Sequence, residues 1–443
     1  MKMNNSRRFN ALLFVLIACN LVYGQQATET ASQAGTSATK DAVVTDKTGN
    51  DADNARLDAL REKGSAALYN LDYEEARRIF TEMQREFPND PQGPQSLAAS
   101  LWLQTMNDSR RLQSSLYNSK SFYAKSEDKV DPKITEAFKN YTRQAKELAE
   151  ARVKQNPNDV QALYALGSIV GLQAAFAGAI ERRFMAALRN GMDAVDYHRK
   201  VLKLDPNFHD AEVTIGMYEY VLGTLPFPVK LFLKVGGMGG SKKKGLETLE
   251  RVVAQGTRAN DDARVMLIAL YKREKRYNDA LKFARELADK YPRNYLFRLE
   301  VADALLTQAA LDRKANKETA SAETEAFGIF DSLLREPSNA AAAARALDLI
   351  HYRYGESLFA LGRFDRAAEQ FIVAAKTRDA APALVSMAYL RAAQALDLSG
   401  KRNEAVTAYN AVLVRPDVYD MYAEAQRGLH SPYTIKTVTN ENR

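Results

Sequence analysis

Apolar residues recur at three- and four-residue steps along most of this chain, which is the spacing of amphipathic α-helices. The pattern is clearest in residues 351–375, HYRYGESLFALGRFDRAAEQFIVAA. Tyr354, Gly355 and Leu358 mark one face of a first helix, where Gly355 predicts the close approach of a neighbouring backbone. Gly362 interrupts the period. A second helix then carries its apolar residues on one face, at Ala367, Phe371 and Ala374. The segment therefore predicts a helical hairpin.

The same order of residues returns elsewhere in the chain, and proline separates its copies. An earlier copy consists of Gly64, Tyr73, Ala76, Phe80 and Pro88. Proline cannot continue a helix, and the Asn and Asp residues beside it favour the start of the next one. Similar stops recur at long intervals, at Pro157, Pro206, Pro292, Pro337 and Pro416. Recurrent stops of this kind indicate an array of hairpins.

The Gly, aromatic, Ala, Phe, Ala order over a unit of about 34 residues resembles the tetratricopeptide repeat (TPR). The resemblance covers most of residues 55–428, and it is strongest near 57–90, 261–294, 348–380 and 386–418. It implies an all-α, right-handed α-solenoid of about eight TPR-like hairpins. It also implies a protein that binds proteins or peptides on its concave face, without catalytic residues or cofactors of its own.

The resemblance implies that one side of each first helix lines the concave face. Basic and aromatic side chains at these positions suit an acidic or extended peptide. The predicted partner-binding residues are Tyr164, Lys272, Arg273, Tyr352, Arg353, Glu356, Arg391 and Gln394. The alternative interpretation of each is an ordinary solvated residue of the groove.

Three stretches depart from the repeat pattern. Residues 107–140 have a polar centre, which predicts a long loop or an additional exposed helix. Residues Ala174 to Gly191 are apolar on one side and predict that both helices of their hairpin are lengthened. Residues 223–245 combine two prolines, an apolar run and glycines.

The third stretch, residues 223–245, also contains a candidate anion loop. Backbone N–H groups at a helix start, with lysines beside them, predict a site for a phosphate or a glycan anion. The residues are Gly239, Gly240, Ser241, Lys242, Lys243 and Lys244. They do not match the phosphate-loop pattern G-x-x-x-x-G-K-[ST], because a second lysine follows Lys242. Two other interpretations are a flexible bend and an apolar segment that contacts a partner or a membrane.

The amino terminus predicts export. Residues 1–24 have a basic lead and a short apolar core, as in a secretory signal peptide. Residues 16–19, Leu-Ile-Ala-Cys, also resemble a bacterial lipobox, in which Cys19 would be lipidated and anchor the chain to a membrane. Residues 25–54 are rich in Ala, Thr and Ser and predict a disordered linker. Residues 429–443 predict a carboxy-terminal tail.

Charge and motif spacing disfavour several other functions. The net charge of +7 is spread along the chain without the basic stripe and aromatic residues of a nucleic-acid groove. The single cysteine excludes an intrachain disulfide and a CxxC motif. The histidines lack metal-ligand spacing, and no nucleophile motif is present. His198 occupies the position of Phe80 and Phe371 in other hairpins and is predicted to lie in the core. We therefore expect a non-enzymatic, exported scaffold that is periplasmic or attached to the cell envelope.

Overall fold

Helices form the regular secondary structure of residues 47–112, 130–225, 239–335 and 341–435, which are the residues described by the computed structural model. The predicted signal peptide and Cys19 lie outside these residues, as do the centres of the two insertions at 107–140 and 223–245. The described helices form two compact units, and the division falls within the third and the ninth helix.

The amino-terminal unit contains Leu13–Gln104 and Pro132–Leu267. Its helices are α1 (Lys47–Tyr69), α2 (Tyr73–Glu86), the first part of α3 (Gln92–Asp108), α4 (Pro132–Gln155), α5 (Val160–Ala179), α6 (Phe184–Leu204), α7 (Glu212–Thr224), α8 (Lys242–Gln255) and the first part of α9 (Asn260–Arg273). Sequential helices pack together: α1 with α2, α4 with α5, α5 with α6, α6 with α7, and α7 with α8. A 3₁₀ turn, His209–Ala211, precedes α7.

The carboxy-terminal unit contains Thr105–Asp131 and Ile268–Arg443. It continues with α10 (Tyr277–Lys290), α11 (Tyr295–Lys314), α12 (Ala320–Arg335), the short α13 (Ala341–Ala344), α14 (Leu347–Ala360), α15 (Phe364–Lys376), α16 (Pro382–Leu398), α17 (Arg402–Leu413) and α18 (Met421–His430). The first helices α11, α14 and α16 pack against their hairpin partners α12, α15 and α17. Each also packs against the next first helix: α11 with α14, α14 with α16, and α16 with α18. The first helices therefore share one side of this unit, and the predicted helical-repeat fold is confirmed.

A glycine that lies against a ring recurs between neighbouring helices. A Cβ atom at Gly355 would come within 2.7 Å of the Phe371 ring. The glycine therefore makes room for the ring itself, whereas the sequence had predicted the close approach of a neighbouring backbone. The equivalent pairs are Gly64–Phe80, Gly167–His198 and Gly428–Tyr409. His198 is 0% exposed, which confirms its predicted place in the core.

The helix α5 is long and apolar enough to cross a membrane, but 94% of its apolar window is buried inside the protein. It is therefore an interior helix, packed between α4 and α6. The 20 residues of α5 and the 21 residues of α6 confirm the lengthened hairpin that was predicted around Ala174 to Gly191.

Two boundaries differ from the sequence prediction. The helix α1 begins at Lys47, so residues 47–54 are helical although their polar composition predicted a linker. The helix α18 ends at His430, two residues inside the predicted tail, and an extended segment follows it from Ser431 to Ile435. Composition alone did not place these ends because helix termini depend on local hydrogen bonds.

Candidate functional site

Six charged side chains form a row across the first helices of the carboxy-terminal unit, and we call this row the charge ladder. The residues are Lys272 on α9, Glu300 and Asp303 on α11, Arg353 and Glu356 on α14, and Arg391 on α16. Residues three apart on one helix point to the same side, so each pair on α11 and α14 contacts its neighbours from one face.

The inner part of the ladder connects three helices through Asp303. Lys272 Nζ lies 2.5 Å from Glu300 Oε2 and 2.5 Å from Asp303 Oδ2. On the other side, Arg353 Nη2 donates to Asp303 Oδ1 at 2.5 Å. The Asp303 carboxylate therefore bridges a cation from the preceding hairpin and a cation from the following one.

Burial and charge act in opposite directions on these inner groups. Burial raises the pKa of Asp303, but Arg353 and Lys272 outweigh it and hold that pKa well below its usual range. Burial lowers the pKa of Lys272, and Asp303 and Glu300 more than reverse the change. Asp303, Lys272 and Arg353 are therefore charged at neutral pH, and the low polarity around them strengthens the attraction between their opposite charges.

The outer end of the ladder is more accessible. Arg391 Nε donates to Glu356 Oε1 at 2.5 Å, and Arg391 Nη1 donates to Gln394 Oε1 at 2.8 Å. The guanidinium lies 4.0 Å from the centre of the Phe359 ring, within the range of a cation–π contact. The side chains of Arg391 and Glu356 are 23% and 30% exposed, whereas that of Arg353 is 5% exposed. Solvent therefore reaches the outer pair, whereas Arg353 in the inner part is covered.

The structure places the predicted partner-binding residues in different surroundings. Lys272, Arg353, Glu356, Arg391 and Gln394 come together in and beside the ladder. Arg273 is partly exposed at the end of α9. The binding roles of Lys272, Arg273, Glu356 and Arg391 stay predictions. Arg353 and Gln394 are buried and could act on a partner only through the side chains they contact.

The two predicted tyrosines serve the cores of their units. Tyr352 is buried and contacts the Phe371 ring at 5.4 Å between centroids. In the amino-terminal unit, Tyr164 is buried and stacks on His198 at 5.1 Å. Direct contact with a partner requires exposure that these side chains lack.

Two of the three carboxylates of the ladder were missed in the sequence. Glu300 and Asp303 lie on α11, one turn apart, and they pair with basic residues of α9 and α14. A carboxylate pair at i and i+3 on a first helix was the available signal. The role of this pair became clear only in the structure, where the neighbouring helices place cations opposite the two carboxylates.

Several residues of the candidate anion loop make contacts within the protein. Ser241 precedes α8, and its hydroxyl accepts a hydrogen bond from the Lys244 N–H at 3.3 Å. Lys243 lies 3.7 Å from Glu247, and both side chains are mostly exposed. Gly240 packs so closely on α7 that a Cβ atom there would come within 2.4 Å of Leu222. These contacts favour a structural role for Gly240 and Ser241, and anion binding stays a prediction.

No group of three or more His, Cys, Asp or Glu residues in the described part of the chain has an arrangement suited to a metal ion. His209 pairs with Glu212 at 3.3 Å, and His351 contacts Gln370 at 2.8 Å. The His209 contact therefore joins the 3₁₀ turn to the start of α7, and the His351 contact joins α14 to α15.

Comparison with known proteins adds little to this description. No protein-family model matches the chain, and no curated protein matches it. Among solved structures, the human IFIT1 dimer with m7Gppp-AAAA is 13% identical, with 87% of this chain and 86% of that chain covered and a TM-score of 0.44. Yeast Tom70 is 13% identical, with 85% and 95% covered and a TM-score of 0.35. Similarities this weak carry no argument about function, and the helices themselves define this chain as an all-α helical-repeat protein.

Proposed function

We propose that this protein is a non-enzymatic scaffold that binds an extended segment of a partner protein on the first-helix side of its carboxy-terminal unit. The observation that carries the proposal is the outer end of the charge ladder. There, Glu356 and Arg391 are held in one geometry by hydrogen bonds and a ring contact, yet both remain partly exposed. A fixed, accessible charge pair of this kind can bind a partner without first losing side-chain entropy.

The inner ladder supports this role by holding the helices in place. Asp303 joins cations from two other hairpins, so α9, α11 and α14 are connected at one level. Breaking such a buried ion pair is costly, and the face it supports is therefore rigid. Each cation of the ladder is already paired with a carboxylate, so the proposal includes no nucleic-acid partner.

A swapped charge pair tests the proposal. The double variant Glu356→Arg with Arg391→Glu keeps opposite charges in contact but reverses their positions. We expect it to retain helical circular dichroism and to lose the partner that the wild-type chain captures from a cell-envelope extract. The matched control is Arg285→Glu with Glu325→Arg, which reverses an exposed pair on the second helices α10 and α12. Equal capture by both swapped variants would contradict the proposal.

We also propose that the chain is exported and acts in or at a bacterial cell envelope, on the basis of residues 1–24. Mass spectrometry of the mature amino terminus distinguishes the two processing routes. Ordinary cleavage gives a chain that begins near Gln25, whereas lipidation gives an acylated Cys19. An intact Met1 in fractionated cells would contradict export.

A further inference from the structure

A polar groove lies over the middle of α5 in the amino-terminal unit. Its volume is about 390 Å³, which falls in the range of small-ligand sites, about 300 Å³ and above. The helices α4 and α6 both pack on α5 and form the two walls of the groove. Lys146 lines the α4 wall, and Val170 and Gln173 of α5 form the floor. The residues of the charge ladder belong to the other unit, so the groove is a separate feature.

The floor of the groove is an opening over an otherwise covered helix. Every residue of α5 from Ala162 to Ala179 is buried except Gln173, which is partly exposed. Its side-chain amide can both donate and accept hydrogen bonds. The groove therefore places one polar group at its base, between helices that are apolar where they meet.

The α6 wall carries a stripe of side chains along one face of that helix. Asn190, Asp193, Tyr197 and Lys200 follow one another at steps of three or four residues, which places them on the same side, over about 15 Å of helix. Tyr197 packs against buried core residues of α4 and α5, so its ring is held in position. Lys200 Nζ lies 5.5 Å from the centre of that ring. The wall thus combines a fixed aromatic ring with polar groups on both sides of it.

Three polar side chains of the groove have hydrogen-bonding groups that no other described residue uses. Gln173, Asn190 and Asp193 make no side-chain hydrogen bond or ion pair within the described part of the chain. Asp196, which also lines the groove, instead pairs with Arg199 at 3.5 Å. Two amides and a carboxylate that are gathered in this way can bind a ligand that supplies both donors and acceptors.

The composition of the lining indicates the chemistry of the ligand. Its two lysines balance its two aspartates, so a strongly charged ligand of either sign would meet like charges. Val170 and Tyr197 are its only clearly apolar contributions among the described residues, which disfavours a peptide that depends on buried apolar anchors. A saccharide suits the lining better. Its hydroxyl groups donate and accept hydrogen bonds, and the C–H face of a sugar ring can pack on a tyrosine ring.

We propose that this groove binds a short neutral saccharide, such as a disaccharide. The ring of Tyr197 contacts one face of a sugar, and Gln173, Asn190 and Asp193 hydrogen-bond to its hydroxyl groups. The inference does not depend on the proposed function, because it concerns other residues in the other unit.

Isothermal titration calorimetry with the full-length chain tests the inference. The probes are three neutral disaccharides, namely maltose, cellobiose and N,N′-diacetylchitobiose. We expect at least one of them to bind with a stoichiometry of one. Asp193→Ala should lower its affinity at least about 10-fold, because a hydrogen bond to a charged acceptor is lost. Lys146→Ala, on the opposite wall, should also lower it. The matched control is Asp289→Ala, which removes an exposed carboxylate from α10 and should bind like wild type.

Binding of none of the three disaccharides by wild type would overturn the inference, and so would equal affinities for wild type, Asp193→Ala and Lys146→Ala. Tetralysine and tetraglutamate serve as charged comparison probes. Binding of either one, without binding of a disaccharide, would overturn the inference and assign the groove to a charged peptide. Asp193 is exposed, so its replacement leaves the core intact, and helical circular dichroism checks this. No natural partner is needed, so failure here is distinct from failure of the capture experiment with the swapped pair.

Discussion

The imidazole ring of His198 lies against Gly167 so closely that a Cβ atom on that glycine would come within 2.3 Å of the ring. The histidine occupies the place that Phe80 takes against Gly64. Its Nε2 contacts the Tyr164 carbonyl oxygen at 3.2 Å, while Nδ1 is buried without a hydrogen-bond partner among the described residues. The polar ring of His198 therefore fills a position that an apolar phenylalanine ring fills in another hairpin.

The histidine at this position predicts that the fold loses stability in acid. Burial lowers the pKa of His198 to about 4, from about 6.5 in an unfolded chain, and the Tyr164 carbonyl opposes only part of the change. Between these two pH values the unfolded chain binds the proton and the folded chain does not. The His198 contribution to stability is thus complete above about pH 6.5 and falls by about 3 kcal/mol as the pH drops to about 4.

The variant His198→Phe should remove this dependence, since phenylalanine fits the equivalent site beside Gly64. Urea denaturation at pH 7.5 and pH 4.5 measures it. We expect wild type to lose more stability than the variant does between the two pH values. Identical losses would show that His198 is not the titrating group.

The glycine and ring pairs predict opposite effects for two glycine substitutions in the carboxy-terminal unit. Gly355→Ala would place a Cβ atom 2.7 Å from the Phe371 ring and should destabilise the unit by about 1–3 kcal/mol. Gly328→Ala lies on an exposed position of α12 with nothing within 4 Å, and should stabilise it by about 0.5–1 kcal/mol. Thermal denaturation of both variants checks the signs, and a stabilising Gly355→Ala would contradict the packing.

Loss of the central carboxylate of the ladder should be severe. Asp303→Asn leaves Arg353 in the interior without its full counter-charge, so we expect a loss of about 3–5 kcal/mol. Arg285→Ala removes one partner of an exposed pair, with 49% and 44% exposed side chains, and should cost less than about 1 kcal/mol. Urea midpoints of the two variants give the comparison. Equal midpoints would mean that the ladder does not hold the helices.

A buried carboxylate in the amino-terminal unit predicts a further difference. Asp210 accepts hydrogen bonds from the N–H groups of Thr257, Arg258 and Ala259 and from the Thr257 hydroxyl, so it caps α9 from the preceding hairpin. Asp210→Ala leaves the buried N–H groups of Arg258 and Ala259 unpaired and should cost about 3 kcal/mol or more. Asp72→Ala removes a cap whose hydrogen bond from the Glu75 N–H is 3.4 Å long, and it should cost about 1 kcal/mol. Hydrogen exchange at residues 257–259 should rise in the first variant alone.

Local patterns predicted the hairpins because each depends on residues close together in the chain. Gly355 and Phe371 lie on two helices joined by one turn, so both residues of the pair can be recognised within the sequence of a single repeat. Contacts between repeats were not predictable in this way. Asp210 caps residues 47 to 49 positions away, and Arg353 meets Asp303 at a separation of 50.

It was also hard to predict from the hydrophobic pattern which side of a first helix is buried and which is open. The helix α5 is buried on nearly every side because it packs between α4 and α6. Its apolar residues therefore show no single face, and Tyr164 was assigned to an open surface although it lies in the core. A tyrosine reads as amphipathic in sequence, and only the neighbouring helices decide which part of it is covered.

The order of charges along the ladder restricts how hairpins can be gained or lost. Deletion of α14 and α15 would bring Glu300 and Asp303 to face Arg391, and opposite charges would still meet. Deletion of α11 and α12 would instead bring Lys272 to face Arg353, with two cations in a poorly solvated place. Hairpins of this unit are thus not interchangeable modules, because the charges of one first helix match those of the first helices on either side of it.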